Sequence, residues 1–115
     1  MAINISQVPV TIANGTSLSA AVPLGEFTLC GIAMPAGWDT AGLSFQVSVD
    51  GGATFLELQS ISAAVSAAAA ANQYIALDPA IWRAINHIKV RSGTAASPVP
   101  QTADRVLTLV TKRLI

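Results

Sequence analysis

Leu43-Ser-Phe-Gln-Val-Ser-Val49 alternates apolar and polar positions, with Leu43, Phe45, Val47 and Val49 on one side and Ser44, Gln46 and Ser48 on the other. That period of two predicts a half-buried β-strand. It runs into Asp50-Gly51-Gly52, whose glycines supply the positive φ of a tight turn, and then into Ala53-Thr-Phe-Leu-Glu-Leu58. Together they predict a β-hairpin. Upstream, Phe27 to Met34 reads as another strand, stopped by Pro35 and Gly37. Downstream, His87 to Arg91 and Arg105 to Arg113 read as two more, joined by a Ser/Thr/Ala/Pro loop from Ser92 to Thr102. Val106, Leu107, Leu109 and Val110 put apolar groups on both faces of the last strand, which predicts a central position for it.

Residues 1–24 carry Ile3, Ile5, Val8, Val10 and Ile12, then Asn14-Gly15, then Leu18 to Val22 before Pro23. They predict an N-terminal strand, paired through an Asn-Gly turn, or an extended arm, in either case part of the same domain as a body spanning 25–115. Pro9 places this strand at a sheet edge, because proline donates no ladder hydrogen bond. The alanine-rich stretch from Ala63 to Ala71 has helical propensity but neither the length nor the apolar face of a stable helix, so it predicts a loop or a short helical turn. A short helix is expected near 79–85, with Asp78 as N-cap, Pro79 in the first position, and Ile81 and Ile85 covering one end of a sheet. Short strands separated by Gly- and Pro-bearing turns make the chain all-β, an antiparallel β-sandwich or jelly-roll.

Composition turns this fold towards surfaces. The chain has 115 residues, enough for one core, and only 10% are charged, against roughly 25% in typical soluble domains. A surface so poor in charge points to cover by a partner or by further copies, a homo-oligomer such as a dimer or trimer. The charges are also segregated in sequence. Glu26, Asp39, Asp50, Glu57 and Asp78 precede Arg83, whereas Arg83, Lys89, Arg91, Arg105, Lys112 and Arg113 follow with Asp104 as the single acid among them. Either the fold separates an acidic from a basic face, or the two sets interleave and pair, which is the default. The nearest candidate for a membrane span, Ile61 to Ala71, is too short, carries serines and is mostly alanine, and Met-Ala-Ile-Asn-Ile-Ser lacks the features of a secretory signal. No membrane partner and synthesis in the cytoplasm are therefore expected.

The search for chemistry returns little. One histidine, His87, and one cysteine, Cys30, supply neither a zinc cluster nor a disulfide, and no serine lies in a Gly-x-Ser-x-Gly elbow. Asp39, Asp50 and Glu57 have structural readings as a loop cap, a turn opener and an exposed strand residue. The expectation is no enzyme, no metal and no cofactor. Zero net charge and 5% aromatic residues argue against nucleic acid as a partner. Trp38 and Trp82 pack in the core by default, and otherwise anchor a partner.

Pro35-Ala-Gly-Trp-Asp-Thr-Ala-Gly-Leu-Ser-Phe-Gln-Val-Ser-Val-Asp-Gly-Gly-Ala-Thr-Phe55 resembles a segment of small tailed-bacteriophage virion proteins. The stretch from Ala76 to Gly93, followed by the Arg-Val-Leu-Thr-Leu-Val strand, is similar to them as well. The resemblance implies a β-sandwich structural protein of the virion, a capsid decoration or cement protein in the phage head that binds the major capsid protein. An alternative is a carbohydrate-binding adhesin module of a tail or fibre that stacks a sugar on Trp38 or Trp82. The candidate interface comprises Ile3, Ile5, Val8, Val10, Trp38, Trp82, Arg83 and Arg91.

Overall fold

The computed structural model describes residues 5–60 and 63–113, so Ile3 lies outside the described residues. Two antiparallel sheets form a sandwich. The first has the order β1-β9-β3-β7, built from β1 (Ile5–Ile12), β9 (Arg105–Lys112), β3 (Thr28–Ala33) and β7 (Tyr74–Ala76). The second centres on β8 (His87–Ser92) and β4 (Leu43–Ser48), with β2 (Val22–Pro23) beside β8 and both β5 (Leu56–Glu57) and β6 (Ser66–Ala67) beside β4. The all-β sandwich expected from the alternation is thus the fold, and β9 is central between β1 and β3.

Residues 5–12 form a strand that pairs within the subunit along its whole length, from Ile5 opposite Lys112 to Ile12 opposite Arg105. It lies at a sheet edge, as Pro9 requires. The Asn14-Gly15 turn does not close a hairpin. It carries the chain across to the second sheet, where Val22 and Pro23 pair with Ile88 and His87. The turn is fixed from the far end of the chain, since Gly15 N–H donates to the Gln101 carbonyl (2.8 Å) and Asn14 N–H to the Asp104 carboxylate (2.7 Å).

The hairpin of β4 and β5 is present, with Gln46 opposite Glu57 and Val47 opposite Leu56. Gly51 and Gly52 adopt φ of +77° and +95° in the connection, a region in which a side chain would be strained. Asp50 organises the rest of the loop. Its carboxylate accepts the N–H groups of Ala53 (3.1 Å) and Thr54 (2.9 Å) and the hydroxyls of Ser48 and Thr54. β4 departs from the expected half-burial, because Ser44 and Ser48 are buried along with Leu43 and Phe45. Neighbouring loops and side chains cover its outer side too. Val49, just past the strand end, is 84% exposed.

β5 and β6 pair with successive parts of β4 in the same direction, Glu57 with Gln46 and then Ala67 with Leu43. They are two halves of one edge strand. Between them the chain leaves and returns, closed where Val65 N–H donates to the Leu58 carbonyl (3.0 Å) and Gln59 bridges Ala64. The alanine-rich stretch is therefore loop and short strand.

Leu29, Ile32, Leu107, Leu109 and Ile12 of the first sheet meet Leu43, Phe45, Ile88 and Val90 of the second in a core with these side chains at 1% exposure or less. The helix α1 (Pro79–Trp82) closes one end, with Ala80 N–H bonded to the Asp78 carboxylate (3.0 Å) and Pro79 in the first turn. Its single turn points one large side chain inward. That residue is Trp82, at 1% exposure, whereas Ile81 faces outward and Ile85 is only half-buried.

Candidate interaction surfaces

Side chains directly opposite one another in a sheet share a face. On the first sheet the pairings set Gln7, Val110, Gly31 and Ala76 in one outward row, and Pro9, Thr108, Ala33 and Tyr74 in the next. Thr11 with Val106 and Ile5 with Lys112 complete the face. Lys112 is its one charged residue, at a corner. Ile5, Tyr74 and Val106 are each at least half exposed here, so half of the six exposed large hydrophobic residues among the described residues share this face. Tyr74 leans across the sheet, its hydroxyl above Gly31, where a Cβ would sit 2.1 Å from the phenolic oxygen. Only glycine leaves room for that approach.

The outer side of the second sheet is polar instead. Ser44 and Arg91 are opposite on β4 and β8. Arg91 Nε donates to the Ser44 hydroxyl (2.9 Å), and its two terminal nitrogens form a fork on the Glu57 carboxylate. Gln46 adds a donor to the same carboxylate (2.8 Å), and the Ser44 hydroxyl donates to the Gly93 carbonyl (2.7 Å). The Arg91 hydrogen bonds hold the Glu57 carboxyl below the usual carboxylate range against the opposing effect of burial. A pocket of about 140 Å³ adjoins this network, walled by Phe45, Leu58, Val65 and Thr94. Nearby, the Lys89 ammonium stands 4.5 Å from the centre of the Phe55 ring.

The charge segregation seen along the chain disappears in space. Arg91 pairs with Glu57, Arg105 with Asp39 (3.5 Å) and Arg113 with Glu26 (2.6 Å), each joining a basic residue of the later segment to an acid of the earlier one. The two sets interleave. Asp39 is also a staple between loops: its carboxylate accepts the Thr102 N–H (2.7 Å) and hydroxyl (2.8 Å), which lower its pKa. Beneath it the fully buried Gln101 bonds Asp39 N–H, Ser92 and Arg105.

The carboxylates singled out in the sequence are thus engaged in holding loops and strands. Asp50 is strongly depressed in pKa by its Thr54 and Ser48 hydrogen bonds. His87 sits half-buried beside an open depression of about 250 Å³ formed with Ser48, Val49, Gly51, Ala84 and Asn86. No group of three or more His, Cys, Asp or Glu side chains close enough to hold a metal occurs among the described residues, and none of their helices is long and apolar enough to cross a membrane.

Of the candidate interface, the structure leaves part at the surface. Ile5 and Arg83 are exposed and Val8 is half-buried at the sheet edge. Val10, Trp38, Trp82 and Arg91 are corrected to the interior, at 3%, 6%, 1% and 6% exposure. Val10 points into the core, Trp38 is tied by its Nε1 to the Ala41 carbonyl (3.0 Å), Trp82 caps the sandwich, and Arg91 is spent on Ser44 and Glu57. Neither tryptophan offers a stacking platform. The outward residues of β9 and β7, Val106, Thr108, Val110 and Tyr74, were not singled out by sequence, although the doubly apolar pattern of the last strand carried the signal. Compared with protein-family models, curated proteins and solved structures, the chain matches none.

Proposed function

We propose that the chain is a bacteriophage structural protein of the capsid decoration type, which docks on the major capsid lattice through the outer face of its four-stranded sheet. The observation that carries this reading is the near absence of charge on that face, while ion pairs lie elsewhere. Docking such a face against protein strips water from Ile5, Val106 and Tyr74 without leaving a carboxylate unpaired. The resemblance of the Pro35–Phe55 and Ala76–Gly93 segments to tailed-phage virion proteins supplies the class of partner.

Strands about 4.8 Å apart with about 3.3 Å per residue give this face roughly 400 to 500 Å². A standard interface takes about 800 Å² per partner. A single contact is therefore weak, and retention on the shell comes from many copies held at once. Co-sedimentation of the purified chain with expanded capsids tests the reading. Saturable binding at a fixed ratio to the capsid subunit is the expected result, and its absence at micromolar protein sinks the proposal.

A further inference from the structure

We infer that two copies of the chain pair edge to edge through β1, joining their four-stranded sheets into one continuous sheet. The pairing rests on the backbone and side chains of β1; its use, an enlarged docking face, rests on the capsid reading.

A sheet edge presents unpaired N–H and C=O groups, and proteins usually break such edges, charge them or place proline on them, as Pro9 does at one position of β1. Here three of the four are broken up. β7 has three residues, β2 has two, and the outer edge of β4 is covered by the interrupted pair β5 and β6. β1 is different, with eight residues in unbroken register and no charged side chain from Ile5 to Ile12. A second copy therefore meets no like charge along the strand.

Pro9 sets the phase. Lacking an N–H, it cannot exchange bonds with Thr108, so Pro9 and Thr108 form a non-hydrogen-bonded pair, and Val8 and Val10 hold the ladder to Leu109 and Leu107. The N–H groups of Ile5, Gln7 and Thr11 consequently point away from the subunit. With Val8 opposite Val8 of a second antiparallel copy, Ile5 faces the second copy's Thr11 and Gln7 faces its Pro9. Every outward N–H then reaches a carbonyl, and only the Gln7 carbonyl lacks a donor. Centring on Pro9 instead sets two prolines opposite each other, and centring on Gln7 sets Ile5 opposite the proline. The Val8 register is the best satisfied. It also brings together two Val8 side chains that each subunit leaves half-buried. The joined sheets present roughly 800 to 1,000 Å² of face whose charge is confined to one Lys112 from each subunit, which reaches the size of a standard interface.

Sedimentation velocity over a concentration series, with wild type and Gln7→Pro, tests the pairing. Gln7→Pro removes an outward donor without touching the ladder to β9, so its melting curve stays that of wild type while the dimerisation midpoint rises at least tenfold. In a Cys30→Ser background, Val8→Cys should form a symmetric disulfide under mild oxidation, since opposed residues of a non-hydrogen-bonded pair have Cα atoms about 4.5 Å apart; Ser6→Cys should not. A wild type that stays monomeric to millimolar concentration overturns the inference, as does a dimer indifferent to Gln7→Pro or a Ser6→Cys cross-link equal to that of Val8→Cys. A dimer that fails to bind capsids sinks only the docking reading, and a capsid-binding monomer sinks only the edge pairing.

Discussion

The indole of Trp82 meets the ring of Phe45 edge to face, with centroids 4.9 Å apart and planes at 84°. This contact joins a one-turn helix to the central strand of the opposite part of the core, and the indole is almost fully buried. Trp82→Ala should lower unfolding free energy by about 3 to 5 kcal/mol, the range for deleting a large buried aromatic. Ile81→Ala, on the outward side of the same turn, should cost less than about 1 kcal/mol. Urea denaturation of both variants checks the contrast.

Acid should unfold the chain through its carboxylates. Asp39, Asp50 and Glu57 all have folded-state pKa values lowered by hydrogen bonds. As pH falls through the usual range near about 4, the unfolded chain takes up protons first, so stability is full above that range and declines below it. Asp50→Asn should reduce stability at neutral pH and flatten the acid slope. Melting temperatures from pH 7 to pH 2.5 measure both effects.

Breaking the Arg91 fork should be felt more strongly than breaking the other ion pairs. Arg91 is buried, so Glu57→Gln leaves a cation short of its partner, yet Glu57 itself is 40% exposed and water screens part of the loss. A cost of about 1 to 2 kcal/mol is expected. Glu26→Gln, in a pair exposed on both sides, should lie within about 0.5 kcal/mol of wild type. Parallel denaturation curves separate the two.

Further charges placed on the charge-poor sheet face should separate function from folding. Val106→Lys and Thr108→Glu point outward from β9 and should change stability by no more than about 0.5 to 1 kcal/mol. Both should abolish capsid co-sedimentation. A charge on the polar side of the second sheet, such as Gln46→Lys, serves as the control and should leave binding intact.

Much of the fold was legible in the chain because β4 carries a period of two, the last strand is apolar on both faces, and Gly and Pro mark the turns between strands. The edge position of Pro9, the Asp50 turn and the Asp78 cap all followed from local stereochemistry. What escaped was set by distant neighbours. Ser44 reads as lying on the polar side of its strand until Arg91 and Gly93 are folded over it, and Asn14-Gly15 reads as a hairpin turn or part of an extended arm until Gln101 and Asp104 draw it between sheets. The same holds for the candidate surface. Arg91 looked available because its partner Glu57 is thirty-four positions away in sequence, and the uncharged face became visible only once Gln7, Val110, Gly31 and Ala76 lay side by side.

The central place of β9 has a consequence in time. It lies between β1 and β3, so β1 gains its strand neighbour, and β3 its second one after β7, only once residues 105–112 are available. Contacts of such long sequence separation make folding slow and late to commit. During synthesis the inward side of β1 waits without its strand partner, a state open to capture by other chains. The first sheet is therefore completed only when β9 enters between β1 and β3.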